Sequence, residues 1–400
     1  LPGALTTMNA RELIDAFGSP LYVYDETVLR RSCRALKEAF NGKDEHLLYA
    51  MKANANPELL RIIRDEGFDL DAVSLGEVLL GRRVGFAPDQ ISYTGNNASE
   101  TELKAVAKEG VHVTLDAPTQ LMAWSRVAGD RPFGLRINPD FGGGHHHHVI
   151  TGGPDAKFGI EWDQLASVLE SVDRLDLKLD RFHQHIGSGI LDADLLLKAM
   201  DPLLKAARLR PEVATLDFGG GVGIPYRKTE AEFPLASFAA AARSKVDGLR
   251  RGRAGQLRAF FEPGRSVVAT CGTLLVTVTA IKRGSKHTFV GTDSGQHHLI
   301  RPAFYGAFHQ VENLTGEGRF VERVTVAGNI CESGDLLAAD VPLPKVEVGD
   351  LLAIRDVGAY GYSMSSNYNL RPRPAEVLLG PTGPTLIRSA ETLEQILPPG

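Results

Sequence analysis

Short apolar segments alternate with longer amphipathic segments from about residue 30 to residue 270. The apolar segments predict strands at 47–51, 69–73, 91–94, 111–115, 133–137, 179–185, 215–218 and 259–262. The segments between them, such as 57–66, 99–109, 162–172 and 195–209, carry apolar residues at helical spacing. Eight strands, most of them followed by a helix, predict an α/β barrel of the (β/α)8 (TIM) type. A doubly wound parallel sheet would produce a similar alternation with fewer strands.

After residue 270 the pattern changes to segments rich in Val, Thr and Leu that are separated by turn residues, such as LLVTVTAIKR and LLAIRDVG. This pattern predicts an antiparallel all-β domain, a sandwich or a second barrel. The segment LYVYD at 21–25 lies outside the barrel count, and we predict that it joins this β domain. The predicted organisation is a barrel over 26–270 and a β domain made from 1–25 and 271–400.

Composition excludes several function classes. The 400 residues are 43% hydrophobic and 23% charged, which is typical of a globular protein with a substantial core. A net charge of −5 argues against a nucleic-acid surface. No apolar segment approaches the roughly 20 residues that span a membrane, and residues 1–15 lack the features of a secretory signal.

Cysteine and histidine usage points away from disulfide and metal sites. Cys33, Cys271 and Cys331 are too few and too scattered for a disulfide framework or a zinc site, so we expect a reducing cytoplasm. Four histidines at 145–148 lie in a glycine-rich segment. We interpret them as a solvated loop in preference to a metal site.

Lys52 follows the first predicted strand in LLYAMKANAN. In a barrel, the carboxyl end of each strand faces the active site. A lysine whose surroundings keep part of it neutral can form a Schiff base with a carbonyl compound. Taken alone, a lysine in this position is more often a solvated loop residue, so its interpretation depends on the other strand ends.

Three glycines, Gly219, Gly220 and Gly221, follow the seventh predicted strand in DFGGGVGIP. Their backbone N–H groups can surround a phosphate without a side-chain clash, and a loop after a late barrel strand is a recurrent phosphate position. A tight turn would explain the same residues. A Rossmann site is not supported, because no early strand–turn–helix carries G-x-G-x-x-G with a following acidic residue.

Two further strand ends carry side chains suited to an aromatic cofactor. Glu262, in FFEPGRSV, ends the eighth strand, where a carboxylate can keep a pyridine nitrogen protonated. An ordinary salt bridge between Glu262 and Arg265 is the alternative. In HQHIGSG, His185 can stack on a ring and Ser188 can bind phosphate, although a hydrogen-bonded core histidine would also explain His185.

Together these strand ends offer an amine, a partner for a ring nitrogen, a surface for ring stacking and a phosphate cradle. Pyridoxal 5′-phosphate (PLP) requires each of these from its protein. We therefore predict a PLP site at the carboxyl ends of the barrel strands, with Lys52 as its anchor.

The same motifs resemble the fold type III, or alanine-racemase-like, family of PLP-dependent decarboxylases, and most closely its diaminopimelate decarboxylase branch. The resemblance extends from LYVYD to SSNYNLRPR at 365–373. YAMKAN matches the Schiff-base lysine motif, and DLDAVSLGE matches a segment whose acid, Asp71, lies close to that lysine. HIGSG, GGG and EPGR match the cofactor motifs, which implies contacts from His185, Ser188, Gly219, Gly220, Gly221, Glu262, Gly264 and Arg265.

The resemblance also implies residues that act on the substrate. DSGQHHLIRPAFYGAFH, CESGD and GAYGYSMSSNYN match family blocks, which implies substrate contacts from Arg265, Arg301, Tyr305, Glu332 and Tyr360. Tyr360 would also reach the cofactor, and Cys331 would be catalytic as the proton donor. The resemblance implies a head-to-tail homodimer with shared active sites, in which Cys331 and Glu332 come from the partner subunit.

What the resemblance implies is a carboxy-lyase that acts on a small amino acid, with meso-2,6-diaminopimelate as the favoured substrate and L-lysine as the product. A related decarboxylase acting on D-ornithine, D-lysine or a citryl-diamine precursor is the first alternative. A racemase of the same fold and a non-catalytic PLP-binding protein are the others, although the Cys331–Glu332 pair argues against the last. DSGQHHLIRP departs from the usual DAG-x-N-x-L-x-RP and introduces His297 and His298.

Overall fold

A computed structural model describes residues 7–139, 141–143, 151–153 and 156–398. The histidines at 145–148 lie outside the described residues. In chain order the strands are β1 (Leu21–Asp25), β2 (Glu45–Ala50), β3 (Asp69–Ala72), β4 (Ile91–Tyr93), β5 (His112–Leu115), β6 (Phe133–Asn138), β7 (Ile160–Glu161), β8 (Leu179–His183), β9 (Thr215–Asp217), β10 (Arg258–Phe261), β11 (Gly272–Arg283), β12 (Thr288–Thr292), β13 (Val311–Asn313), β14 (Val321–Ala327), β15 (Leu336–Pro344), β16 (Leu351–Arg355), β17 (Ala375–Gly380) and β18 (Gly383–Arg388).

The α-helices among the described residues are α1 (Thr7–Phe17), α2 (Glu26–Ala39), α3 (Pro57–Asp65), α4 (Leu75–Arg83), α5 (Glu100–Lys108), α6 (Gln120–Ala128), α7 (Leu165–Arg174), α8 (Ala193–Leu209), α9 (Leu235–Arg250), α10 (Arg265–Val268), α11 (Arg301–Tyr305) and α12 (Leu393–Ile396). None of the helices in the described part of the chain combines the length and the apolar character needed to cross a bilayer.

Contacts divide the chain into two compact units. The barrel unit consists of Ser32–Pro225 and Ala231–Val267, and the β unit consists of Leu1–Arg31, Tyr226–Glu230 and Val268–Gly400.

The barrel unit contains a closed parallel barrel. Its strands follow the order β5-β4-β3-β2-β10-β9-β8-β6, and pairing of β5 with β6 closes the ring. These eight strands correspond to the eight predicted from the sequence, so the (β/α)8 prediction is confirmed and the doubly wound alternative is wrong.

Polar side chains cap three of the helices that follow barrel strands. The side chains of Asn56, Ser74 and Ser99 accept backbone N–H groups in the first turns of α3, α4 and α5. Each cap satisfies an N–H group that would otherwise lack a partner at the helix N-terminus. Because the caps sit just beyond the barrel strands, the strand ends and their side chains are held in short, ordered loops.

The sixth barrel strand is shorter than predicted. The sequence predicts a strand over 179–185, but β8 ends at His183. The carbonyl of His185 instead accepts a hydrogen bond from the Thr151 hydroxyl, and Gly187 adopts a φ of 146°, which turns the chain away from the ladder. His185 therefore lies in a loop beyond the strand end.

The β unit contains a mostly antiparallel sheet. Its main path is β15-β14-β12-β11-β1-β17-β18, and β16 pairs with both β11 and β13. β1 lies between β11 (antiparallel) and β17 (parallel), with Leu21 opposite Leu275 and Ala375. The prediction that LYVYD joins the β domain is confirmed. A core cluster that includes Val23 and Val377 packs with residues of α1.

Candidate active site

Lys52 is oriented by a buried acid at the barrel strand ends. It lies in a 3-10 turn, Met51–Ala53, immediately after β2, and its Nζ is 2.6 Å from Oδ2 of Asp71 on β3. The other oxygen of Asp71 accepts a hydrogen bond from the Thr94 hydroxyl. Burial alone would raise the pKa of Asp71, but the charge and hydrogen bond of Lys52 hold it below its usual value. Asp71 is therefore an anion that fixes the position of the lysine amine.

Glu262 presents one unpartnered oxygen inside the barrel unit. It follows β10, is 4% exposed, and its Oε2 lies 3.2 Å from Nε2 of His183. Among the described residues, Oε1 has no hydrogen-bond partner. Burial, followed by the negative charge of Asp71, raises the pKa of Glu262 to about 8. A buried carboxylate with a free oxygen is suited to accept the N–H of a cationic ring.

A set of buried charges that the sequence analysis missed surrounds Glu262. Arg181 on β8 donates to the Ser92 hydroxyl at 2.6 Å and lies 3.6 Å from Oδ2 of Asp217 on β9. Burial and then Glu262 raise the pKa of Asp217 to about 7. A signal was present in the sequence, because Arg181 and His183 occupy alternate positions of one buried strand, and residues two apart face the same side of a strand.

The glycine loop after β9 packs tightly against neighbouring strand ends. A Cβ on Gly219 would lie 2.3 Å from the carbonyl oxygen of Gln184, and one on Gly220 would lie 2.2 Å from that of Glu262. Gly219 and Gly221 also have φ values of 68° and 124°, which favour glycine. This loop therefore tolerates no side chain at these positions.

Hydrogen bonds of the glycine loop involve two of its N–H groups. Gly219 donates to Oδ1 of Asp217, and Gly220 donates to Nδ1 of His185, each at 3.1 Å. The bond to Gly220 leaves Nδ1 of His185 without a proton, and burial, with the charge of Lys52, keeps the pKa of His185 well below its usual value. His185 is thus a neutral ring fixed by the loop.

Arg265 and Ser188 form a second pair of polar groups. Arg265 begins α10, is 4% exposed, and donates to the Ser188 hydroxyl from Nη2 at 3.1 Å and from Nε at 3.3 Å. A Cβ on Gly264 would lie 3.1 Å from the Cβ of Ala50, so this glycine lets the EPGR turn approach the end of β2. The structure thus brings Ser188, predicted to bind phosphate, into contact with Arg265, predicted to bind cofactor and substrate.

In the β unit, Arg301 is held by a histidine that the sequence analysis did not single out. Arg301 begins α11, is 1% exposed, and its Nη1 lies 2.8 Å from Nε2 of His309. Nδ1 of His309 lies 2.8 Å from the carbonyl oxygen of Arg355, so it carries the proton and Nε2 accepts from Arg301. The guanidinium also lies 4.8 Å from the centre of the Tyr226 ring. Tyr305 ends α11, four residues after Arg301.

Cys331 and Glu332 are exposed on the β unit and have ordered neighbours. The Sγ of Cys331 lies 3.4 Å from Oδ1 of Asn369. Glu332 accepts hydrogen bonds from the Tyr368 hydroxyl and from Nε2 of Gln296, and these two bonds, the first being the stronger influence, lower its pKa. The pair is thus held in place on the surface of this unit.

Tyr360, the remaining predicted site residue, is partly buried in the segment after β16. Its φ of 57° lies in the left-handed region, which is uncommon for a residue with a side chain. Strain of this kind is typical of functional segments.

The two unusual histidines have different environments. Nε2 of His298 donates to the Pro372 carbonyl at 3.0 Å, and its Nδ1 accepts from the Ser294 hydroxyl at 3.1 Å. His297 lies against the His298 ring, with 3.6 Å between centroids, and neither of its ring nitrogens has a partner among the described residues. Burial lowers the pKa of His297 to about 3 and that of His298 to about 4. The neutral ring of His298 therefore connects the turn at 294–298 to the RPRP segment at 371–374.

The amino-acid sequence of this chain is similar to those of known proteins. Residues 26–269 match the family model for the pyridoxal-binding domain of pyridoxal-dependent decarboxylases. Diaminopimelate decarboxylase from Methanothermobacter thermautotrophicus is 41% identical over 97% of this chain and 93% of its own length. The enzyme of the same name from Escherichia coli K12 is 34% identical over 98% of this chain and 96% of its own.

The structure of this chain is likewise similar to solved structures of diaminopimelate decarboxylases. A diaminopimelate decarboxylase from M. jannaschii, in complex with L-lysine, superposes with a TM-score of 0.90 and 32% identity, over 97% of this chain and 93% of that one. The Helicobacter pylori diaminopimelate decarboxylase with L-lysine has a TM-score of 0.89 and 30% identity, over 96% of this chain and 98% of that one.

Proposed function

This chain belongs to the family of pyridoxal-dependent decarboxylases that includes diaminopimelate decarboxylase, and we propose that it converts meso-2,6-diaminopimelate to L-lysine and CO2. It is a PLP-dependent carboxy-lyase, as its relatives over the full chain are. The observation that carries the proposal for this site is the Lys52–Asp71 pair, together with the free, buried oxygen of Glu262.

The residues of the barrel unit fit PLP. Lys52 supplies the amine that anchors the cofactor covalently, with Asp71 beside it. Glu262 offers an acceptor for the ring nitrogen, which explains an otherwise costly unpartnered carboxylate oxygen. The other cofactor contacts that we propose in this unit are His185 for the ring, Gly219, Gly220, Gly221 and Ser188 for the phosphate, and Gly264 and Arg265 of the EPGR turn. Tyr360, in the β unit, is a further proposed cofactor contact.

The reaction divides between cofactor and protein. When bound, PLP supplies the electron sink for the bonding pair left behind as CO2 departs. Lys52 would hold the cofactor through its Nζ atom and would be the amine that the substrate amine replaces. Glu262 would accept the N–H of the ring nitrogen, and His185 would contact the ring.

The protein decides which bond breaks. Which substrate bond breaks would depend on how the substrate is oriented at the cofactor, so its distant end would have to be held by the protein. We assign this task to Arg265, Arg301, Tyr305, Glu332 and Tyr360. Cys331 would donate the proton that replaces the departing carboxylate on the substrate carbon.

We propose a homodimer with shared active sites, in which Cys331 and Glu332 serve the site of the partner subunit. Exposure of both residues, together with the bonds that order Glu332, supports this arrangement. Mixing Lys52→Ala with Cys331→Ala subunits should restore part of the activity through hybrid dimers. Inactive mixtures with proven subunit exchange would contradict it. We propose a reducing cytoplasm as its location, because the three scattered cysteines are too few for a disulfide framework.

Release of CO2 from a panel of amino acids tests the substrate. We expect the highest kcat/KM with meso-diaminopimelate, compared with D- and L-lysine and D- and L-ornithine. A preference for ornithine or D-lysine would show that the protein is a related decarboxylase with a different substrate. Interconversion of stereoisomers without release of CO2 would show that it is a racemase.

Absorbance of the bound cofactor tests Lys52. Lys52→Ala should lose the absorbance of covalently held PLP, while Lys178→Ala, at an exposed position, should keep it. Borohydride labelling of a different lysine would overturn the assignment of the anchor.

A further inference from the structure

His183 contacts the one acid that is proposed to act on the cofactor ring. It is the last residue of β8, is 1% exposed, and its Nε2 lies 3.2 Å from Oε2 of Glu262. A carboxylate can only accept hydrogen bonds, so Nε2 carries the hydrogen whenever Glu262 is ionised. This contact leaves the second oxygen, Oε1, for another donor.

The second nitrogen of the His183 ring indicates that the ring is neutral. Nδ1 is buried and has no hydrogen-bond partner among the described residues. A proton there would leave an N–H group buried and unpaired, which is unfavourable, whereas a bare nitrogen is tolerated more easily. Burial also lowers the pKa of His183 to about 4.

Both signs of charge face His183 from the neighbouring strands. Asp217 on β9 and Asp71 on β3 favour its protonation, while Arg136 on β6 and Arg181 on β8 oppose it. Together with burial, the two arginines keep the imidazole uncharged, so Glu262 receives a hydrogen bond without a neighbouring full positive charge from this ring.

The hydrogen bond from His183 to Glu262 affects where the proton between Glu262 and the cofactor ring nitrogen lies. Glu262 and a pyridine nitrogen share a single proton, which stays on the nitrogen only while the carboxylate form of Glu262 is stabilised. Burial disfavours that form and raises the pKa of Glu262 to about 8 in the absence of a ligand. A hydrogen bond to the charged form acts in the opposite direction.

We propose that His183 is a positioning residue that donates through Nε2 to Glu262, and so keeps the shared proton on the nitrogen of the cofactor ring. The inference rests on the proposed function, because it requires PLP next to Glu262. His183 touches neither the substrate nor the reacting atoms and acts through Glu262 alone.

The test uses the holoenzyme loaded with PLP that carries 15N in its ring. In the wild type, the 15N resonance should have the shift of a protonated ring nitrogen at pH 7.5. His183→Phe should move the resonance toward the unprotonated value and reduce kcat about 10- to 100-fold, with little change in KM. His183→Gln, whose amide N–H can donate to Glu262, should restore most of both properties.

His112→Phe is the matched control. It removes another imidazole, partly buried, that bonds an acid, Asp180 at 2.8 Å, without touching Glu262. The control should keep the 15N shift even if it is less stable. A wild-type shift in His183→Phe would overturn the inference, as would a control that changes the shift equally.

The wild-type protein provides a second measurement if His183→Phe does not bind PLP. With 15N-labelled histidine, the His183 ring should show a protonated Nε2 and an unprotonated Nδ1, and the reverse pattern would overturn the inference. Neither NMR measurement needs a substrate. Failure of meso-diaminopimelate to react would therefore contradict the proposed substrate and leave the His183 result unaffected.

Discussion

Replacing His112 should make the protein less sensitive to mild acid. His112 on β5 is largely buried, and its Nε2 lies 2.8 Å from Oδ1 of Asp180. Burial, followed by the charge of Arg181, lowers its pKa from 6.5 to about 4, and Asp180 offsets only part of this shift. The folded protein therefore holds His112 neutral over a pH range in which the unfolded chain protonates it.

The sign of the effect follows from the protons bound by each state. Between pH 6.5 and pH 4, the unfolded state binds more protons at His112, so the free energy of unfolding falls as the pH falls. The slope approaches about 1.4 kcal/mol per pH unit within this window. From pH 7 to pH 5, His112 should account for a loss of about 2 kcal/mol.

Urea unfolding at both pH values measures this loss. His112→Asn should reduce the difference in unfolding free energy between pH 7 and pH 5 by about 2 kcal/mol relative to wild type. Val113→Ala, in the same strand, truncates a fully buried side chain that does not titrate. It should destabilise the protein equally at both pH values.

An unchanged pH difference in His112→Asn would refute the reasoning, because the folded protein would then bind the proton at His112 as readily as the unfolded chain does. A change of the opposite sign would show that Asp180 outweighs burial at this position.

Two other substitutions probe the site. Gly220→Ala would place a Cβ 2.2 Å from the Glu262 carbonyl oxygen. Urea unfolding should therefore show a free energy of unfolding lower by about 1–3 kcal/mol, and cofactor titration should show weaker PLP binding. Wild-type values in both assays would show that the added Cβ causes no steric clash. His309→Leu removes the Nε2 acceptor that lies 2.8 Å from Nη1 of the buried Arg301, which should cost about 2 kcal/mol in stability and raise the KM for the substrate. His309→Gln retains an acceptor and should recover most of the loss, and equal effects of the two variants would argue that only ring packing matters.

The barrel could be predicted from the sequence because its strands are short, continuous apolar segments with polar residues at their ends. Lys52 and Glu262 were found for the same reason, since both occupy positions directly after a strand. In a parallel barrel these positions meet at one end, so location along the chain translates into location in space.

The network beneath those residues could not be predicted in the same way. Arg181, His183 and Asp217 lie inside strands, where a polar side chain facing the interior is exceptional and the hydrophobic pattern conceals its direction. The bond between Arg301 and His309 depends on how the chain turns after α11. The strand containing His183 was predicted two residues too long, because pattern alone does not reveal the turn that Gly187 permits.

The place of β1 in its sheet has a consequence for biosynthesis. Leu21–Asp25 leaves the ribosome long before β17, one of its two partner strands. Until β17 emerges, β1 therefore has an unpaired strand edge, of the kind through which nascent chains associate wrongly. A message that ends before Ala375 would yield a product with one edge of β1 open, and such a product should aggregate or be degraded.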